Sequence, residues 1–320
     1  MVNTTKNVLP WRILTLVVLL MLGAGLWVAT TKIDYTWRWK RVPQYFVYHA
    51  ETMTNAPADG LVADIENLGE KTRIKFISET DDELFFEIDS TTLNVSIDED
   101  LFEGDHIGST FEWQAGPLVI GLWNTLWISA AASVLGLTIG MITGLCRVSN
   151  NTTLRDLSAI YVELIRGTPL LVQLFIFYFF LGTVLDIDRF VAGIFALAVF
   201  AGAYVAEIIR AGIQSIPKGQ MEAARSLGMN VPQAMVYIIL PQAFKRTLPP
   251  LAGQFISLIK DSSLVSVIAI NDLTKSGREV ITSTFATFEI WFVVALLYLV
   301  MTFALSQVIS LVERRLAVSD

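Results

Sequence analysis

The chain has 320 residues, 53% of them hydrophobic and 17% charged, with a formal net charge of −7 and a mean hydropathy of +0.56. This composition belongs to a membrane-embedded protein, and it excludes a disordered chain, a disulfide-stapled secreted module and a basic nucleic-acid binder. The single cysteine, Cys146, cannot close an intrachain disulfide and ends an apolar run, so it reads as a packing residue.

Residues 1–30 contain the first expected span. From Pro10 to Thr30 the sequence is apolar with one charge near its start, and about 20 residues at ~1.5 Å each cover ~30 Å of hydrocarbon. Lys6 and Arg12 resemble the charged start of a signal peptide, but the length of the core and the lack of a small-x-small cleavage site favour a retained anchor. Residues 31–115 are different in kind, holding 18 acidic and 7 basic residues, net −11, which leaves +4 for the rest. Within them Thr72–Glu79, Glu83–Asp89 and Thr92–Asp98 alternate or are β-branched and aromatic, which predicts strands and a small β-rich domain. Aromatic residues crowd Tyr35–Tyr48 and suit either the headgroup level outside the first span or a buried strand. His49 and His106 are isolated and lack metal-ligand spacing.

Residues 116–320 carry five further expected spans, at about 117–146, 158–182, 189–211, 249–271 and 288–312, six with the anchor. The fold class is therefore an all-α membrane protein with a β-rich insert. Charges in the short loops orient it: Lys6, Arg12, Arg147, Arg155, Arg210, Lys218, Arg225, Lys245, Arg246, Arg314 and Arg315 on one side, against Arg189, Lys275 and Arg278 on the other. The basic side is cytoplasmic, which places both termini inside and the insert outside.

The polar stretch at 214–243 is long for a connector. Ser215 and Pro217 read as an N-cap and first-turn proline, KGQMEAARSL as a helix, and Gly228 as its left-handed C-cap. Asn230 and Pro232 open a second helix that Pro241 is expected to close. Met221, Ala224 and Leu227 or Gly228 share a face, read as free for a partner. Three sites place ionisable groups inside spans, where charge is costly. Glu163 with Arg166, and Glu207 with Arg210, sit one turn apart and read as self-neutralising pairs near the cytoplasmic end. Lys260 and Asp261 fall near mid-span, and with Ser262 and the Gly167-Thr168-Pro169 break they are the candidate translocation-cavity residues. Pro169 cannot donate a backbone hydrogen bond, which frees a carbonyl where a solute's α-ammonium or α-carboxylate partner is wanted.

Glu222, Ala223, Ala224 and Gly228, followed by Ile238, Leu240 and Pro241, match the EAA loop and its I-x-L-P element. With GLWNTLWIS at 121–129, RGTPLLVQLF at 166–175, AYVAEIIRAGIQSIPKGQ at 203–220 and LPPLAGQFISLIKDSSLVSVI at 248–268, the region 116–312 resembles the membrane-spanning permease subunits of ATP-binding-cassette importers, polar amino-acid uptake branch. The resemblance implies a type I importer fold with a five-helix permease core in the bacterial inner membrane. It implies a short helix docked through Glu222, Ala223, Ala224 and Gly228 onto a separate ATPase dimer, a second permease copy in a homo- or heterodimer, and an extracytoplasmic substrate-binding protein. Polar or charged amino acids or similar small solutes are the implied cargo. No G-x-x-x-x-G-K-[ST] occurs in the chain, so ATP and magnesium are expected in the partner and no cofactor in this chain. The chain departs from the family pattern at Ala252-Gly253, where an asparagine is usual, and in its insert at 31–115. Two other readings compete: an ion-gradient transporter using Glu163, Glu207 and Asp261, and a non-transporting signalling or assembly protein.

Overall fold

The computed structural model of the protein describes residues 9–32 and 35–317, in two units, residues 1–40 and 41–320. Lys6, counted above with the inner charges, lies outside the described residues.

In the first unit α1 (Leu9–Thr31) is long and apolar enough to cross a membrane. Its Thr15, Thr30 and Thr31 hydroxyls donate to carbonyls three or four residues back, which satisfies them without water. Beyond it Trp37 and Trp39 stack at 6.0 Å, with faces exposed. Trp39–Tyr45 is a 3-10 turn, so the strand considered for the aromatic stretch begins only at Val47.

The second unit opens with six strands: β1 (Val47–Asn55), β2 (Gly60–Asn67), β3 (Lys71–Ser78), β4 (Glu83–Asp89), β5 (Asp100–Leu101) and β6 (His106–Ala115). They form a four-stranded antiparallel sheet in the order β4-β3-β2-β5 and a two-stranded ribbon of β1 with β6. In β3 the burial alternates strictly, putting Ile74 and Phe76 in a core with Val62, Ile88 and Ile107, all fully buried, while Arg73 faces out and meets Glu87 across the β3-β4 register at 2.9 Å. Thr92–Asp98 is not the strand its composition predicted. Val95 enters the core, but the backbone bonds irregularly, Asn94 N–H to the Ile107 carbonyl and Asp98 N–H to the Val62 carbonyl, and Asp98 is left-handed at φ 63. Tertiary pairing here overrides local propensity.

The helical part follows: α2 (Pro117–Arg147), α3 (Thr152–Gly167), α4 (Leu170–Phe177), α5 (Arg189–Gln214), α6 (Lys218–Ser226), α7 (Val231–Ala234), α8 (Leu240–Asp261), α9 (Leu273–Thr284) and α10 (Thr287–Ala317). Five stretches among the described residues can cross a membrane by length and composition: α1, α2, α5, residues 231–268 and α10. The span expected at 158–182 is instead the pair α3 and α4, bent by 109° at Thr168-Pro169, and counts as a sixth only if the pair crosses as one. The cause is Pro169, which forces Thr168 into an extended conformation. The span expected at 249–271 starts much earlier, because Pro241 does not end a helix. A π-helical segment, Met235–Ile239, feeds directly into α8 with Pro241 in its first turn, where a missing N–H is tolerated.

The centre of this part is α2 against α5. Gly136, Gly140 and Gly144 form a ridge at four-residue spacing, and a methyl group at Gly140 would sit 2.4 Å from the Cβ of Val205. Without a hydrophobic drive in lipid, such close backbone approach supplies the packing contacts that join the helices. At the far end of α2, Thr125 Oγ1 accepts the Leu273 N–H at 3.0 Å and Asn124 donates to the Asn271 carbonyl at 2.7 Å. These two residues of the 121–129 motif fix the turn that starts α9.

Candidate coupling loop and translocation residues

The loop at 214–243 is preformed. Ser215 is not the N-cap of α6 but the C-cap of α5, its hydroxyl donating to the Gly212 carbonyl. Arg246 of α8 donates to the Ser215 carbonyl at 2.7 Å and clamps the start of the loop. Pro217 occupies the N-cap position without a side-chain acceptor. At the other end Gly228 has φ 87, its N–H donates to the Arg225 carbonyl and that of Met229 to the Ala224 carbonyl, the paired bonds of a glycine-terminated helix. Asn230 and Gln233 then form a reciprocal capping box for α7.

The exposed side of α6 differs from the predicted one. Ala224 is buried, and Met221 packs into the cluster of Ile213, Ile216 and Ile239, so the face shared by Met221 and Ala224 is covered by the chain itself. Glu222, Ala223 and Gly228 remain exposed, and Leu227 is 82% exposed at the tip. The Glu222 carboxylate makes no ion pair among the described residues.

The translocation candidates are rearranged too. Gly167, Thr168 and Pro169 are exposed at the bend. The carbonyl that Pro169 frees, that of Ile165, is already taken. Gln173 Nε2 donates to it at 2.7 Å and also reaches Thr168 Oγ1 at 2.7 Å and the Thr168 carbonyl at 3.1 Å. Gln173 is 3% exposed and sits among apolar residues, four positions after the proline. That spacing, a lone amide one turn past X-Pro in an apolar run, is the sequence signal for this closure. Lys260 is exposed and Asp261 half-buried, but Ser262 is fully buried, donating to the Ile259 carbonyl at 2.7 Å and accepting from Ser129 of α2 at 3.2 Å. Ser262 therefore ties two helices together and does not line an open cavity.

The charged pairs regroup. Glu207 and Arg210 bond as expected, Nε to Oε2 at 2.9 Å with a second contact through Nη2. Arg166 turns away from Glu163, which is exposed, and lies 4.0 Å from Glu207 with its guanidinium over the Tyr204 ring. Arg147 of α2 reaches the same carboxylate at 3.6 Å. One carboxylate, 24% exposed, thus faces three guanidiniums from three helices.

Outside the spans, Asp272 caps α9, accepting from the Thr274 and Lys275 N–H groups, and the Tyr298 hydroxyl donates to it at 3.3 Å. Burial pushes its carboxyl above the ordinary range, partly opposed by the two backbone donors.

Membrane-length helices around a glycine-ridged pair, with a preformed polar loop, make this a multi-pass membrane protein. Residues 136–318 match the family model described as binding-protein-dependent transport system inner membrane component. The glutamine transport system permease protein GlnP of Escherichia coli K12 is 41% identical over 210 residues, 64% of this chain and 96% of that protein. The probable glutamine ABC transporter permease protein GlnM of Bacillus subtilis is 45% identical over 197 residues, 61% of this chain and 91% of that protein. A solved amino acid ABC transporter with histidines superposes with a TM-score of 0.59 at 44% identity, over 62% of this chain and 94% of that one. The chain belongs to the binding-protein-dependent transport system inner membrane component family. It is a multi-pass inner-membrane protein, the permease subunit of an ATP-binding-cassette importer.

Proposed function

We propose that the chain forms half of the translocation path for polar or charged amino acids, paired with a second permease copy and driven by two ATPase subunits that hold ATP and magnesium. The cargo class is supported by the names of its relatives, two of them glutamine permeases. In this reading the α3-α4 pair is one bent crossing, giving six with α1, both termini are cytoplasmic, and residues 31–115 form a β-rich insert outside, where a substrate-binding protein delivers cargo.

The observation that carries the coupling role is α6 itself. Its Ala224 is buried on one side, Glu222 and Leu227 are exposed on the other, and Arg246 clamps the chain leading into it at Ser215. Leu227 enters an apolar groove of the ATPase, and Glu222 makes a charge-assisted bond to a cation there. Gly228 is needed because its φ of 87 is strained for any residue with a Cβ. Lys260 and Asp261 line the path beside the bend at Gly167-Thr168-Pro169.

The test is affinity purification of the tagged chain from native membranes, with Glu222→Lys and Gly228→Val alongside and uptake measured in liposomes. An ATPase subunit that accompanies the parent and fades with both variants supports the reading. Uptake that follows a proton gradient without ATP would overturn it in favour of an ion-driven transporter.

A further inference from the structure

A cavity of ≈ 560 Å³ opens between the end of α2, the start of α3 and the α6 loop. Its polar rim carries Arg147, Arg155 and Lys218, and its floor includes Ile213, Met221 and Ile239. Arg155 has Asp156 at 3.8 Å, and Arg147 shares Glu207 with Arg166 and Arg210. Three cations thus line the cavity, with Asp156 and Glu207 the carboxylates within 3.8 Å of its two arginines. The Arg147 side chain is 17% exposed, and its Nε is buried without a hydrogen-bond partner among the described residues. Such a buried orphan donor is costly unless something accepts from it. Helix α6 also begins at this rim, with no side chain capping its first N–H groups.

We infer that this cavity binds an anionic phospholipid, its phosphodiester held by Arg147, Arg155 and Lys218 and its glycerol and upper acyl carbons on the apolar floor. Charge complementarity selects an anion. The floor selects an amphiphile over a free phosphate, because Ile213, Met221 and Ile239 offer nothing to an inorganic ion. The placement of these basic groups at the cytoplasmic membrane surface, proposed above, makes the inner leaflet the source. The lipid would brace the α6 loop against α2, so the inference adds a regulator to the coupling reading and rests on it only for the leaflet.

Native mass spectrometry of the complex purified from membranes reads the inference directly. Phosphatidylglycerol, phosphatidylcholine and inorganic phosphate are titrated in turn onto the parent, an Arg155→Gln/Lys218→Gln double variant and a Lys71→Gln control. Arg147 is left intact because it also holds Glu207. The parent should retain phosphatidylglycerol in preference to phosphatidylcholine, and millimolar phosphate should not displace it. The double variant should bind roughly thirtyfold more weakly, at about 1 kcal/mol per basic residue, and the control as the parent does. Equal retention of the two lipids, displacement by inorganic phosphate, or unchanged binding in the double variant overturns the inference. A double variant that keeps its lipid but loses the ATPase subunit assigns the cavity to protein docking and also overturns it. Failure of the coupling reading shows separately, as ATPase retained by Glu222→Lys with the lipid count unaltered.

Discussion

Replacing Gln173 with methionine keeps the length and apolar fit of the side chain but removes the amide that closes the break between α3 and α4. Two of its contacts, to Ile165 O and Thr168 Oγ1, are 2.7 Å long. Thr168 is exposed, so its oxygens can find other donors. The Ile165 carbonyl cannot recover its helical partner, because residue 169 is proline and has no N–H. The cost is the orphaned Ile165 carbonyl, partly offset because the Gln173 Oε1, buried without a hydrogen-bond partner among the described residues, is removed with it, leaving about 1 kcal/mol, or roughly fivefold in the balance between a closed and an opened bend. A glutamate at 173 should do more harm at neutral pH, since an ionised carboxylate would face two carbonyl oxygens and a hydroxyl with no hydrogen to give the carbonyls. The assay is thermal unfolding of the purified permease in detergent, with uptake in liposomes as a second readout. The expected order of stability is parent, then Gln173→Met, then Gln173→Glu. A methionine variant that melts and transports as the parent does would refute the argument that this amide seals the bend.

At the α2-α5 ridge, Gly140→Leu should prevent assembly of a stable core, because even a methyl there meets Val205 at 2.4 Å; size-exclusion profiles in detergent check it, and Gly253→Ala, where a Cβ meets nothing within 4 Å, serves as the tolerated comparison. Arg246→Ala removes the clamp on the Ser215 carbonyl and should lower ATPase coupling roughly fivefold while leaving the fold intact, at about 1 kcal/mol for an exposed charged hydrogen bond; ATPase rates with and without substrate measure it. Asp272 has a carboxyl raised by burial, so the folded protein holds its proton more tightly than the unfolded chain does. Its contribution is then present below the ordinary carboxylate range and is lost as pH rises through the raised value. Asp272→Asn should flatten that part of the stability-versus-pH curve while keeping a cap acceptor, whereas Asp272→Ala should cost about 1–2 kcal/mol at every pH for the lost cap.

What the sequence discloses and what it withholds follow from the range of the forces involved. The left-handed Gly228, the Asn230 cap and the Glu207–Arg210 pair are set within four residues, and each is where its spacing put it. The helix carrying Glu222 was found for the same reason. The face it exposes was not, since burial of Ala224 depends on Ile213 and Ile239 arriving from α5 and the π-helical segment. Arg166 illustrates the same limit: Glu163 is its nearest acid along the helix, yet Glu207, some forty residues on, is the one beside it. Pro241 misled because a proline read alone signals a stop, while the π-helical turn before it removes the conflict. Ser262 misled because a serine beside two charges suggests a wet cavity, when its hydroxyl is spent on Ile259 and Ser129.

These corrections change how motion at the loop can reach the path. Arg246 joins the start of the loop to α8, the same helix that carries Lys260 and Asp261. Glu207 joins α5 to α2 through Arg147 and to α3 through Arg166, just before the bend that Gln173 closes. In the proposed coupling reading, a push on α6 would be delivered along two routes, one through α8 and one through the Glu207 cluster, with the glycine ridge holding α2 and α5 together. If both routes carry force, Glu207→Gln should weaken the second while sparing the first: the three guanidiniums lose their common carboxylate, but Arg246 keeps its hold. ATP hydrolysis should then continue with substrate uptake reduced, a split between the two rates measured in the same liposomes. Parallel loss of both rates would mean that the cluster supports the fold and transmits nothing.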